Sequence, residues 1–93
     1  MTSIVIEWYD SGKKQNETSY RHINGEKVLH GFIKHYYENG KLRTVSWYEN
    51  GKPNGKWEGF YLEGTIKYVM LYEDFQLVGY TEYDASGKEK KKD

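Results

Sequence analysis

Gly31, Gly55 and Gly79 stand 24 residues apart, and this period constrains the fold more than any other feature of the chain. A fixed period of about 20–50 residues means that one supersecondary unit is copied and stacked. Each unit sets two aromatic residues ahead of a glycine turn: Tyr36-Tyr37-Glu38-Asn39-Gly40, then Phe60-Tyr61-Leu62-Glu63-Gly64. A looser first copy reads Trp8-Tyr9-Asp10-Ser11-Gly12, and a last copy, one residue short, ends Tyr83-Asp84-Ala85-Ser86-Gly87. Tyr20, Tyr48 and Tyr72 each follow a turn glycine by eight residues. Tyr20 to Gly31 takes eleven steps where the later copies take seven, so the first junction carries a four-residue insertion within residues 21–30.

The unit reads as a β-hairpin. Asn39-Gly40 and Asn50-Gly51 are type I′ turn signals, because both central residues of that turn need positive φ. The runs between turns are rich in Tyr, Val, Ile, Thr and Trp, which suit a pleated surface, and no run of ten residues has helical spacing. Seven strands are expected, near 3–9, 14–22, 27–37, 41–48, 55–61, 65–72 and 78–83. They form an all-β, single-layer antiparallel hairpin meander. One domain covers 1–87, with repeats near 4–30, 31–54, 55–78 and 79–87, and residues 88–93 form a charged, solvated tail.

Composition narrows the function. Leu, Ile, Val and Phe make only 18 of 93 residues, a share that suggests disorder when net charge is large. Here 14 basic residues cancel 14 acidic ones, and ten Tyr and three Trp supply buried area instead. The absence of cysteine excludes a disulfide scaffold and suits a reducing compartment. The first ten residues lack the basic and apolar segments of a signal peptide, and no run approaches the ~20 apolar residues of a membrane-spanning helix. A cytoplasmic protein is expected, and neutral charge argues against a general polyanion binder.

The string Gly-x-x-x-x-aromatic-Tyr-x-x-Gly-Lys-Leu, followed by a strand and Tyr-x-x-Gly-Lys-x-x-Gly, resembles the MORN-repeat variant of bacteria. It is closest over Gly31 to Gly55 and covers roughly residues 8–88. Within that variant the chain looks like the YwqK-family antitoxin-like proteins. The resemblance implies a β-hairpin array used for contact with proteins or, in eukaryotic relatives, membranes. It also implies a toxin as the class of partner.

Cross-strand pairing assigns side chains to faces. Two-residue turns set Tyr37 opposite Leu42, Tyr36 opposite Arg43, Phe32 opposite Trp47, Thr44 opposite Trp57, Arg43 opposite Glu58 and Tyr61 opposite Ile66. One face then gathers Ile33, Tyr37, Leu42, Trp57, Tyr61, Ile66, Tyr68 and Met70, with Tyr48 and Tyr72 at its end, and reads as the core. The other, mixed face carries Lys34, Arg43, Lys56, Glu58 and Lys67 among Ile4, Ile6, Trp8, Phe32, Tyr36, Val45, Trp47, Phe60, Val69 and Leu71. The chain encodes no helix to cover it, and contiguous apolar surface marks an interaction site.

The expected partner-binding residues are Trp8, Phe32, Tyr36, Arg43 and Trp47, with Phe75 at a hairpin tip. Trp47 and Phe32 otherwise form a small second core under a curled first hairpin. Phe75 stands where the preceding repeat has Gly51; phenylalanine resists positive φ, so that turn is expected to change type or lengthen.

Catalytic and metal chemistry find no motif. His22, His30 and His35 lack zinc-ligand spacing, and Ser46 near His35 lacks an orienting acid. No cofactor and no enzymatic activity are expected. Aromatics beside Lys34, Lys56 and Lys67 could stack bases or hold a glycan, but Glu58 and the neutral charge disfavour nucleic acid. The expectation is a non-enzymatic module that neutralises a toxin, effector or defence protein by occupancy, in the manner of an antitoxin, an immunity protein or a phage-type inhibitor. A structural scaffold or membrane-associating module is the alternative. The unguarded edge Ile4-Val5-Ile6 also points to a homodimer.

Overall fold

A computed structural model of the chain describes residues 2–90. Eight strands form one antiparallel sheet: β1 (Thr2–Trp8), β2 (Lys14–Ile23), β3 (Glu26–Tyr36), β4 (Leu42–Glu49), β5 (Lys52–Pro53), β6 (Gly55–Phe60), β7 (Ile66–Glu73) and β8 (Gln76–Glu82). Their order is β1-β2-β3-β4-β6-β7-β8, with β5 paired to the end of β4, so the chain is the expected meander. No helix forms among the described residues.

Two kinds of turn alternate along the two ends of the sheet. At one end, Tyr9, Tyr37, Tyr61 and Asp84 each donate a backbone N–H to a carbonyl four residues on, at 2.7–2.8 Å. Each also accepts from a glycine three residues on, and Gly12, Gly40, Gly64 and Gly87 all have φ between 89° and 106°. These are type I turns closed by a left-handed glycine bulge. Asn39-Gly40 is therefore not the expected type I′ turn, since Asn39 stays outside positive φ. The equivalent residues Ser11, Glu63 and Ser86 show why, because a serine or glutamate resists the left-handed conformation and all copies share one turn.

At the other end the tips are type I′. Asn24-Gly25 has φ 51° and 80°, and Asn50-Gly51 has 48° and 85°. The four inserted residues lengthen the first of these hairpins, with Tyr20 pairing Leu29 where Tyr48 pairs Pro53. The third tip overturns the expectation for Phe75. Asp74 (49°) and Phe75 (66°) keep the two-residue turn closed by Glu73 and Gln76, with phenylalanine held left-handed. The ladder on either side dictates the turn length, and one strained residue is cheaper than a register shift along β7 and β8.

Bulges correct the register near the turns. Phe32–Trp47, His35–Thr44, Gly59–Tyr68 and Trp57–Met70 pair as expected, but Tyr36 faces Leu42 and Phe60 faces Ile66. Arg43 and Lys67 are the extra residues that absorb the glycine bulge. An irregularity at Asn54-Gly55 slides β6 along β4, so Thr44 meets Gly59 rather than Trp57 and Val45 meets Glu58. The expected Arg43–Glu58 pair does not form.

The sheet measures 48 × 38 × 14 Å. Its radius of gyration is 15.0 Å, against about 12 Å for a compact chain of this length. Among the described residues no side chain is fully enclosed; Val45, at 8% exposure, is the one buried hydrophobic residue, and Ser19 and Gly59 are buried elsewhere in the sheet. Val45 lies on the mixed face, and the residues expected to be the core, Ile33, Tyr37, Trp57, Tyr61, Tyr68 and Met70 among them, are half-buried rather than enclosed. Backbone ladders and cross-strand side-chain contacts hold this layer together.

One contact recurs at every repeat. The second aromatic of the pair sends its hydroxyl across to the next hairpin: Tyr9 to the Tyr36 carbonyl at 2.6 Å, Tyr37 to Phe60 at 2.7 Å, and Tyr61 to Tyr83 at 2.7 Å. This ladder explains why a tyrosine holds that position. The tail, expected to be solvated, turns back along the end of β8: Glu89 bridges to Tyr83, and the Lys90 N–H donates to the Glu82 carbonyl at 2.7 Å. Its remaining residues, 91–93, lie outside the described ones.

Candidate protein-contact face

The first aromatic of each repeat faces away from the tyrosine ladder and onto the mixed face. Trp8, Tyr36 and Phe60 form a row there with Leu42 and Ile66, which pair with Tyr36 and Phe60. Leu42 and Ile66 thus belong to this face, not to the opposite one, because each bulge turns the residue before it over. Ile6, Val45 and Val69 make a second row, and Ile4, Phe32, Trp47 and Leu71 a third. Period-two alternation places Trp8, Tyr36 and Phe60 here; the registers taken from two-residue turns at Asn39-Gly40 and Glu63-Gly64 hide only Leu42 and Ile66.

Of the expected contact residues, Trp8 (55% exposed) and Trp47 (41%) stand well out of the sheet, while Phe32 and Tyr36 are half-buried. Phe32 meets Trp47 edge-on, ring centres 5.9 Å apart, and the Lys34 ammonium lies 4.7 Å from the Phe32 ring centre. At 14 Å thickness no curled hairpin covers this pair. Gly55, at φ 99°, lies against the Trp47 side chain, and a Cβ there would meet it at 3.4 Å.

Charge on this face is partly compensated by two ion pairs, with Lys34 held over the Phe32 ring. The Tyr36 hydroxyl donates a short hydrogen bond to Glu17, whose carboxylate also pairs with Lys14 at 3.5 Å. That hydroxyl holds Glu17 below its usual value of 4.5, and Lys14 and Lys34 act in the same direction. Burial, with Glu17 alongside, pushes the Tyr36 phenol up to about 12. Lys56 and Glu58 pair at 3.8 Å. An apolar field with internally paired charges presents a dry centre and a polar rim to a partner.

Two expected residues lie elsewhere. Arg43, as the extra residue of its bulge, lies beside His35 and Thr44. With Tyr37, Gly59, Phe60, Lys67 and Tyr68 it lines an open recess of about 350 Å³. Burial lowers the His35 imidazole below its usual 6.5, with Arg43 adding to the effect. Phe75 is 42% exposed at its tip, 5.3 Å from the Lys52 ammonium and away from the apolar rows.

The opposite face carries the tilted stack Tyr48–Trp57–Tyr72, with ring centres 5.2 and 4.9 Å apart, and Tyr68 lying flat over Gly59. The Trp57 indole N–H donates to the Trp47 carbonyl at 2.9 Å, tying this stack to the ladder. These rings brace the sheet. The histidines serve local contacts, His22 with the Ser3 hydroxyl and His30 as acceptor for the Asn50 N–H.

The model of the MORN repeat variant matches residues 1–22, 29–46 and 53–74. Each matched segment centres on one bulged turn, and the gaps between them fall on the type I′ tips. Comparison with curated proteins and with solved structures finds no match. MORN repeats are non-enzymatic modules of protein and membrane contact. With roughly two-thirds of its length matched and a bulged hairpin under each match, the chain belongs to the MORN repeat variant family.

Proposed function

We propose that the chain is a non-enzymatic protein-binding module that neutralises a partner protein by occupying it, as an antitoxin, an immunity protein or a phage-type inhibitor of a defence protein does. One observation carries this reading: three rows of apolar side chains stay uncovered on one face of a sheet a single layer thick. Patches of that kind on a soluble domain mark contact sites, and binding energy concentrates in exposed Trp and Tyr rings near the centre of such a patch. Trp47, Phe32, Trp8 and Tyr36 are the anchors. The Lys14–Glu17 and Lys56–Glu58 pairs and the zero net charge of the chain count against a nucleic acid or an anionic lipid surface.

Co-expression with the product of the adjacent gene tests the reading. Growth inhibited by that product is restored by the wild-type chain and not by Trp47→Ala. Trp47 is half-exposed, so its truncation costs about 2 kcal/mol, roughly half that of a buried ring. The variant therefore stays folded at growth temperature, as its melting curve will show. Binding to phosphatidylserine vesicles without any protein partner would refute the reading in favour of a membrane role. So would full rescue by a combined Trp8, Phe32 and Trp47 alanine variant.

A further inference from the structure

The two edges of the sheet are not alike. The last edge, β8, meets the tail at its end, through the Glu89–Tyr83 bridge, the Lys90 N–H to the Glu82 carbonyl and a Lys90–Glu82 ion pair at 3.9 Å. The first edge, β1, has no strand outside it among the described residues. β1 runs for seven residues with one register shift against β2 at Glu7/Trp8, contains no Pro, Lys or Arg, and exposes Ile4 (54%), Val5 (41%) and Ile6 (37%). Soluble proteins normally blunt such an edge with charge, proline or a bulge.

Its free hydrogen-bonding groups can be assigned. The Tyr9 N–H bonds the Lys13 carbonyl, so Tyr9 is a hydrogen-bonded position of the β1–β2 ladder. Bonding alternates along an antiparallel strand, which turns Glu7, Val5 and Ser3 inward to β2. The N–H and C=O groups of Thr2, Ile4, Ile6 and Trp8 then point outward. These four positions are symmetric about Val5. A second copy laid antiparallel along the edge pairs Ile4 with Ile6 of its partner and Thr2 with Trp8 of its partner. Every outward group is satisfied, with about eight hydrogen bonds in all. Val5 meets its own copy on the two-fold axis, and Glu7 falls opposite a serine, so no like charges meet.

We propose that this chain forms a homodimer by antiparallel β1–β1 pairing centred on Val5, producing one continuous sheet of two copies. The occupant is a second copy because the edge is complementary to itself over its full length. Joining β1 of one copy to β8 of another would run into the tail at Glu82 and Tyr83, which shortens that pairing to residues 76–81. The axis is perpendicular to the sheet, so both apolar faces lie on the same side and the dimer presents a doubled contact surface. The proposal goes beyond the partner-binding reading and does not depend on it.

The chain has no cysteine, which makes Val5→Cys a clean probe. Val5 and its copy form a non-hydrogen-bonded pair with Cα atoms about 4.5 Å apart, within the range a disulfide spans. Mild oxidation is expected to convert Val5→Cys to a covalent dimer. Glu7→Cys, on the same strand and face but opposite Ser3 of the partner, stays largely monomeric. Light scattering on the unmodified chain is expected to give twice the 11.1 kDa monomer mass at high concentration. Ile4→Pro, which removes an outward N–H and leaves the β1–β2 ladder intact, returns it to monomer with an unchanged circular dichroism spectrum. A monomer mass at every concentration up to about 1 mM, a ΔG° near −4 kcal/mol, overturns the proposal. So does equal crosslinking of the two cysteine variants, or a folded Ile4→Pro chain that remains dimeric.

Discussion

Replacing Tyr37 by phenylalanine removes one oxygen atom and leaves the ring in place, so it isolates what the tyrosine ladder contributes. The hydroxyl donates to the Phe60 carbonyl at 2.7 Å in a half-buried position. A neutral hydrogen bond of that kind contributes about 0.5–1.5 kcal/mol net, or about 1 kcal/mol at the centre of that range. For a domain of this size each kcal/mol lowers the melting temperature by about 4–8 °C, so Tyr37→Phe is expected to melt about 4–8 °C early. The rungs at Tyr9, Tyr37 and Tyr61 are separated by two strands, or about 10 Å. At that distance their effects add. The triple Phe variant therefore loses about 3 kcal/mol, a large share of what a sheet without a core has to lose. Thermal melts followed by near-ultraviolet circular dichroism measure both. A shift below 1 °C for Tyr37→Phe, or a triple variant no weaker than the single one, would refute the claim that this ladder couples the repeats.

Gly59→Ala should cost about 1–3 kcal/mol in urea unfolding, because its Cβ would fall inside the Tyr68 ring; adding Tyr68→Ala should recover part of that loss. Phe75→Gly should leave stability unchanged or raise it, since releasing a left-handed phenylalanine is worth about 1–2 kcal/mol against about 0.5–1 for the freedom glycine regains on unfolding. A drop above 1 kcal/mol in the same assay would show that the contact with Lys52 outweighs the strain. Glu17 has a folded-state pKa below its ordinary 4.5, so its contribution is complete above pH 4.5 and disappears as pH falls through the lowered value. Tyr36→Phe should flatten that part of the stability–pH curve, and an identical acid limb in both proteins would count against the Tyr36–Glu17 bond as its source.

Much of the architecture is written in the sequence because a repeat states its unit several times over. The 24-residue spacing, the aromatic pairs and the glycine turns locate the seven long strands, and Phe32–Trp47 and Trp57–Met70 follow from two-residue turn arithmetic. That arithmetic fails near Tyr36, Arg43 and Phe60. Asn-Gly is compatible with two turn geometries, and only the shared backbone of all four turns selects the glycine bulge. One bulge in each hairpin then moves Leu42 and Ile66 to the other face, and the slip at Asn54-Gly55 carries Arg43 away from Glu58, which no single residue announces. Phe75 shows the opposite relation: its local preference is against positive φ, and the pairing of β7 with β8 overrides it. The sequence alone thus determines the repeat, the all-β class and the lack of a helix to cover a second face. Which side chains share a face depended on where bulges relaxed the ladder, because register is a collective property of paired strands and is settled only when every strand has its neighbour.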